Sequence, residues 1–200
     1  MVDEALIIFI KNPVKGLVKT RLAKDIGEEQ ALAVYHKLLH HTREVALQVH
    51  AARYLFYADD SNYNDEWLAS YFTKYCQQGD NLGSKMHHAF ETVFGAGHSK
   101  AIIIGADCPS VTASHLNDAC RQLDDYDVVI GPATDGGYYL LGMSALYPAL
   151  FEQKSWSKPV LLEETKATCG NLGLSYYLLP TLTDIDDKDD LEREKPGWLR

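Results

Sequence analysis

The sequence predicts an α/β fold, a doubly wound and mostly parallel sheet with helices on both faces. Three observations carry this. Short apolar runs of strand length alternate with segments whose apolar residues recur at helical spacing. The runs at Leu6–Ile10 and Ala101–Ile104 are continuous rather than alternating, as in strands covered on both faces. Polar and glycine-bearing punctuation follows the strands, which gathers the variable chemistry at one edge of the sheet.

Each element has its own signal. Leu6–Ile10 is the first strand, with Ile7, Ile8 and Ile10 β-branched. From Glu28 to Gln48, residues Ala31, Val34, Tyr35, Leu38, Leu39, Val45 and Ala46 mark a long amphipathic helix behind Gly27. Arg53–Ala58 is a second strand, closed by the turn residues Asp59-Asp60-Ser61-Asn62. A short helix is expected over Asp65–Lys74, a loop over Gln77–Gly83 and a helix over Ser84–Phe94. Ala101–Gly105 is the third strand, and Thr112 caps a helix reaching Leu123. Asp127–Gly131 and Tyr138–Met143 are the next two strands. Pro159–Cys169 reads as a helix ending at Gly170, and Ser175–Leu179 as the last strand. No repeat or low-complexity linker interrupts the pattern, so residues 1–200 read as a single domain.

Composition narrows the functions. With 46% hydrophobic residues and a formal net charge of −9, the chain suits neither nucleic acid nor an anionic membrane as a general partner. No stretch approaches the roughly 18 apolar residues of a membrane span. The four cysteines Cys76, Cys108, Cys120 and Cys169 are scattered, as expected of reduced thiols in a cytoplasmic protein. The oligomeric state is not legible.

Against this acidic background, Lys11 to Lys24 holds five cations (Lys11, Lys15, Lys19, Arg21, Lys24) and no acid before Asp25. A basic loop with Pro13 and Gly16, between a strand and a helix, puts cations where α/β proteins bind phosphates. A solvated basic loop is the alternative. Asp107, in Gly105-Ala106-Asp107-Cys108-Pro109, follows a buried strand and suits a hard divalent cation; capping the next helix is its alternative role. In Gly131–Tyr139, Asp135 precedes Gly136, Gly137 and Tyr138. This reads as a substrate-lining loop, or as a tight Asp-Gly hairpin. In the acidic run Asp184–Glu194, Asp184 and Asp186 flank Ile185, so in extended chain both point to one side and can join Asp107 at a metal. Asp187, Asp189 and Asp190 read as a solvated helix start.

These motifs occur in order along essentially the whole chain. With Gly79-Asp80-x-Leu82-Gly83-x-x-Met86, they resemble a small bacterial glycosyltransferase-A-like family of arsenosugar-biosynthesis-type enzymes, within the nucleotide-diphospho-sugar transferase superfamily. The resemblance implies a Rossmann-like three-layer α/β/α sheet, a nucleotide-diphosphate donor, a small-molecule acceptor and Mg²⁺ or Mn²⁺. It assigns phosphate binding to Lys11, Gly16, Lys19 and Arg21, metal binding to Asp107, and metal or substrate binding to Asp184 and Asp186. Lys85 stands where that family usually has arginine, keeping the charge but losing the bidentate fork. A two-aspartate metal motif is absent, because Ala106 and Cys108 flank Asp107.

The expected reaction is metal-dependent transfer of a sugar from a nucleotide sugar, with Asp107 catalytic and Asp135 the candidate general base of an inverting mechanism. The alternative is nucleotidyl transfer: an acceptor oxygen attacks the α-phosphorus of a nucleoside triphosphate and pyrophosphate leaves. The short Lys19-Thr20-Arg21 loop also resembles that of guanylyltransferases acting on small phosphorylated acids. The Gly-x-Gly-Thr-Arg signature of sugar nucleotidylyltransferases is missing.

Overall fold

A computed structural model describes residues 3–194 and 197. In chain order the elements are β1 (Glu4–Ile10), α1 (Thr20–Ile26), α2 (Glu28–Leu47), β2 (Ala52–Tyr57), β3 (Thr73–Cys76), α3 (Leu82–Gly95), β4 (Lys100–Ile104) and α4 (Ala113–Gln122). They continue with β5 (Val128–Pro132), β6 (Tyr138–Met143), a 3₁₀ turn (Pro148–Leu150), α5 (Leu161–Leu172), β7 (Tyr176–Leu178) and α6 (Lys188–Glu194).

The strands form one sheet in the order β3-β2-β1-β4-β6-β5-β7. All run parallel except β6, which is antiparallel to both β4 and β5. The continuous apolar strands divide between two cores by simple alternation. Leu6, Ile8, Ile102 and Ile104 face α2 and α4, packing with Tyr35, Leu39, Leu116 and Ala119. Ala5, Ile7, Ala101 and Ile103 face the other way, against Met86, Phe90 and Val93 of α3 and Cys169 of α5. Burial on both sides is why β1 and β4 carry no polar alternation.

This topology locates a crevice. From β1 the chain moves outward to β2 and β3, then returns so that β4 lies on the opposite side of β1. The strand order reverses there, and the carboxyl ends of β1 and β4 flank the opening in which doubly wound sheets bind ligands.

Two expectations are corrected. Asp65–Lys74 is not a helix: after turns, Thr73–Cys76 adds the parallel edge strand β3 beside Tyr54–Tyr57. Tertiary bonds outweigh local helix propensity here. Asp65 accepts from the Tyr57 hydroxyl at 2.6 Å, the Trp67 N–H at 3.1 Å and the Lys74 ammonium at 2.9 Å, while Trp67 and Phe72 are buried edge to face. Helix α5 runs through Gly170 and stops at Gly173, whose φ of 68° supplies the left-handed turn of a helix end. The other strands and helices lie where the periodicity put them, and Thr112 caps α4. Among the described residues no helix is long and apolar enough to cross a membrane, and the four cysteines are free.

Candidate functional site

The loop after β1 is fixed from two sides. The Lys11 N–H donates to the Tyr35 hydroxyl at 2.9 Å, and that hydroxyl donates back to the Lys11 carbonyl at 3.1 Å. Tyr35 is buried, and burial raises its hydroxyl well above the usual range, so it stays protonated. Asn12 is 4% exposed; its amide donates to the Asp60 carbonyl and its carbonyl accepts from the Asp60 N–H. Gly16, at φ 79°, turns the chain back toward α1.

The next unusual residue is Lys19, a non-glycine at φ 48° on the N-terminal boundary of α1. A left-handed lysine costs on the order of 1–2 kcal/mol, and such strain gathers at functional sites. Its side chain is 5% exposed. Its ammonium pairs with the Asp107 carboxylate, donates to the Ile185 carbonyl at 2.6 Å, and stands 3.6 Å from the Asp186 carboxylate. Arg21 pairs with Asp186. Lys15 turns away to Glu29 at 2.8 Å, an exposed pair outside the crevice.

The C-terminal acidic segment reaches the site through Ile185. That side chain is fully buried with Leu22, Ala31 and Leu38, and its N–H donates to the Asp107 carbonyl at 2.9 Å. With Ile185 pinned inward, Asp184 and Asp186 both reach the cavity, as their spacing about an extended residue implied. Burial, and then the facing Asp107 carboxylate, push Asp184 up to about 7; Lys19 opposes this, and Asp135 and Asp186 add to it. Cys108 is buried, and its thiol is pushed up to about 12, mainly by desolvation. It is therefore not a thiolate nucleophile at neutral pH.

These groups enclose a cavity of about 580 Å³ at the strand-order reversal. Of the residues singled out in the sequence, Lys11, Lys19, Arg21, Asp107, Tyr138, Asp184 and Asp186 line it. Gly16, Asp135, Gly136 and Gly137 do not. Asp135 sits in the β5–β6 turn, where its carboxylate accepts from the Gly137 N–H at 2.9 Å. Gly136, at φ 87°, is needed for packing against the chain itself: a Cβ there would lie 2.1 Å from the Pro159 carbonyl oxygen. Its own carbonyl accepts from the Leu162 N–H at 3.0 Å, so this turn docks the start of α5, and Leu161 joins the cavity wall.

The far wall combines residues of the Gly79–Met86 motif with two that no motif contains. Leu82, Lys85 and Met86 from the first turns of α3, with Trp156 and Ser157 from the loop before α5, complete the cavity. Trp156 packs on the start of α3, where a Cβ on Gly83 would meet the indole at 2.5 Å. Ser157, like Lys19, is a non-glycine at positive φ, here 61°. Trp156 belongs to no motif; the one signal available was Gly83, a glycine at a helix start that needs a reason.

Among the described residues, no three histidine, cysteine, aspartate or glutamate side chains form a ready-made metal cage. Magnesium with a nucleotide needs less, commonly one or two carboxylates with phosphate oxygens and water. The oxygen set of Asp107 and Asp184 suits that arrangement, while Asp186 is engaged by Arg21 and Lys19.

A family model described as an uncharacterized protein conserved in bacteria (DUF2064) matches residues 40–158. A 2-phospho-L-lactate guanylyltransferase from Methanocaldococcus vulcanius is 24% identical over 191 residues, spanning 93% of this chain and 82% of that protein. A second, from Methanocaldococcus sp. FS406-22, is 30% identical over 113 residues, 55% of this chain and 47% of that one. Among solved structures, a proposed nucleotide-diphospho-sugar transferase from Desulfovibrio desulfuricans G20 superposes with a TM-score of 0.86 at 28% identity, over 94% of this chain and 84% of that one. A nucleotidyl transferase from Methanothermobacter gives 0.68 at 15% identity, over 98% of each chain, and shares the fold.

Proposed function

We propose that this chain, a transferase that belongs to the DUF2064 family of uncharacterized proteins conserved in bacteria, transfers a nucleotidyl group from a nucleoside triphosphate to a small phosphorylated acceptor. One observation carries the reading. The cavity at the strand-order reversal sets Lys11, Lys19 and Arg21 against Asp107, Asp184 and Asp186. Support comes from relatives named as guanylyltransferases of a phosphorylated acid, one of them matched along nearly the whole chain.

The triphosphate lies on the basic loop, its oxygens exchanging for the carboxylates that hold Lys19 and Arg21. Asp107 and Asp184 would hold Mg²⁺ or Mn²⁺, which when bound neutralises charge on the phosphates and orients them. An oxygen of the acceptor phosphate forms a bond to the α-phosphorus as the bond from that phosphorus to the bridging oxygen breaks. Pyrophosphate departs with the electron pair. The attacking group is already an anion, so no general base is required. Lys19 and Arg21 act by stabilising charge that grows on the leaving group. Tyr35 and Asn12 hold the backbone at the start of this loop in place, so only side-chain partners need to exchange.

Glycosyl transfer from a nucleotide sugar, as in an arsenosugar-type enzyme, is the second reading of the same cavity. The 0.86 superposition on a proposed nucleotide-diphospho-sugar transferase favours it. The products separate the two. Incubation with each nucleoside triphosphate, Mg²⁺ and 2-phospho-L-lactate should release pyrophosphate and form a nucleotide diphosphate ester, read by a coupled pyrophosphate assay and mass spectrometry. Release of a nucleoside diphosphate from a sugar nucleotide, with no pyrophosphate from any triphosphate, would replace this reading with the glycosyl one.

A further inference from the structure

Two anionic substrates cannot share one set of cations. In nucleotidyl transfer the attacking oxygen and the departing pyrophosphate lie on opposite sides of the α-phosphorus. A triphosphate on the basic loop therefore leaves the acceptor's charge to be met from the other wall. Among the described residues, four cations line the cavity: Lys11, Lys19, Arg21 and Lys85. The first three come from the β1–α1 segment, whose Val18 packs into the core under α2. Lys85 comes from the opposite layer, next to Met86, which packs into the core under α3.

Lys85 also differs from Lys19 and Arg21 in its surroundings. Those two are neutralised by Asp107 and Asp186. Lys85 is intermediate in exposure as a whole residue, and its ammonium makes no hydrogen bond or ion pair among the described residues. A cation on the wall of a ligand cavity, with no counter-ion to displace, can take up a bound anion directly. Its position is well fixed. Asn81 and Ser84 form a reciprocal capping box at the start of α3, and Trp156 rests on Gly83.

We infer that Lys85 anchors the phosphate of the acceptor, facing the triphosphate loop across the cavity, with Leu82, Met86 and Trp156 enclosing its carbon skeleton. This rests on the nucleotidyl-transfer reading for its geometry. Lysine is a point charge with three donors, so it fixes where the phosphate sits while leaving an oxygen free to turn toward the α-phosphorus.

The test is calorimetric titration of 2-phospho-L-lactate, and separately of inorganic phosphate, into wild-type protein, Lys85→Gln and Lys85→Arg. Each is loaded with a non-hydrolysable triphosphate analogue and Mg²⁺; the analogue is also titrated alone. Losing one charge-assisted bond should weaken phospholactate about 10- to 100-fold in Lys85→Gln, with Lys85→Arg retaining most of the affinity. Nucleotide affinity should stay within about twofold, as expected for a group on the far wall. Equal phospholactate affinity in Lys85→Gln, a loss confined to the nucleotide, or wild-type protein that binds neither phosphate compound would overturn the assignment. Turnover separates the two proposals. Phospholactate bound through Lys85 without pyrophosphate release from any triphosphate would sink the transfer reading alone. Pyrophosphate release by Lys85→Gln at the wild-type KM for phospholactate would sink the anchor alone.

Discussion

Replacing Lys19 with methionine keeps an unbranched side chain, one atom shorter, and removes its charge. The cost follows from what the ammonium touches. Its own side chain is 5% exposed, whereas Asp107 and Asp186 are 44% and 39% exposed. Breaking a wholly buried pair costs about 3–5 kcal/mol and an exposed one about 0–1 kcal/mol. This arrangement, buried on one side and half open on the other, falls between them. The variant also deprives the Ile185 carbonyl of its donor, a loss of about 1 kcal/mol, and leaves Asp107, Asp184 and Asp186 facing one another. A net destabilisation of about 2–3 kcal/mol follows, or about 4–12 °C in Tm for a chain of this size. The assay is a thermal melt in EDTA, repeated with millimolar Mg²⁺. The ion should restore part of the loss by replacing the missing positive charge among the carboxylates. Pyrophosphate release should nonetheless stay down by about 10²–10³, because the phosphate contact is gone. An unchanged Tm, with Mg²⁺ equally without effect, would refute the picture of Lys19 as the resident cation of an acidic cluster.

Three further outcomes are expected. Asp107→Asn should fold normally and lose pyrophosphate release by at least about 10²-fold at any Mg²⁺ concentration; turnover near that of wild type would remove Asp107 from the chemistry. Gly136→Ala should lose about 2–4 kcal/mol, because a left-handed φ and the Pro159 carbonyl both oppose a Cβ, while Gly137→Ala, 3.2 Å from the Asp135 carboxylate, should be nearly neutral in a denaturant melt. Equal stability of the two variants would mean that the turn does not dock α5 as described. Asp127 accepts from the Ser175 hydroxyl and N–H and from the Tyr147 hydroxyl, and these bonds, the Ser175 hydroxyl first, hold its carboxyl below the usual range. A depressed folded value gives stability present above the unfolded value of about 3.9 and lost as pH falls through the folded one. Asp127→Ala should therefore cost about 1–2 kcal/mol at pH 7 and progressively less below pH 4; a cost independent of pH would contradict this.

The strands and the sheet class were legible because burial on both faces leaves no room for polar residues. Ala5 to Ile8 are wholly buried, and a five-residue apolar run has few other structures to form. The acidic segment was legible for a related reason, since a period of two fixes which residues share a side once Ile185 turns inward. Reading failed where long-range bonds set the conformation. Nothing local to Asp65–Lys74 announces that Tyr57 will donate to Asp65, or that Thr73–Cys76 will find an open edge at β2. The glycine pair after Asp135 shows the limit from the other side. It reads as a close approach of backbone to a ligand, but only Gly136 takes a positive φ, and the surface it approaches is Pro159 of the chain itself. That the Gly79–Met86 motif meets Trp156 and Ser157 at one cavity was not legible for the same reason. Trp156 and Lys85 are 71 positions apart, and only the packing of Trp156 on Gly83 brings them to one cavity.

The basic loop raises a question of charge whose answer bears on how the site works. Five cations within fourteen residues suggest a repulsion held in store for a polyanion. The fold instead discharges most of it internally. Lys15 meets Glu29, Arg21 meets Asp186, and Lys19 meets Asp107 and the Ile185 carbonyl. On the proposed reading, a triphosphate would have to displace carboxylates rather than merely arrive among bare charges, and each displaced carboxylate would need a new partner. A divalent ion bound together with the nucleotide would meet both needs: Asp107 and Asp184 would hold it, and its charge would take the place of the lysine and arginine beside the carboxylates. The same exchange gives selectivity. A free dication competes with Lys19, and a free triphosphate competes with Asp107 and Asp186, so each alone works against an existing pair. Only the complex replaces both partners at once. Nucleotide and Mg²⁺ should therefore bind with positive coupling, each raising the affinity of the other by the same factor. Titrations of either one at several fixed concentrations of the other measure that factor directly, and equal affinities with and without the second ligand would show that the internal ion pairs do not stand in the way.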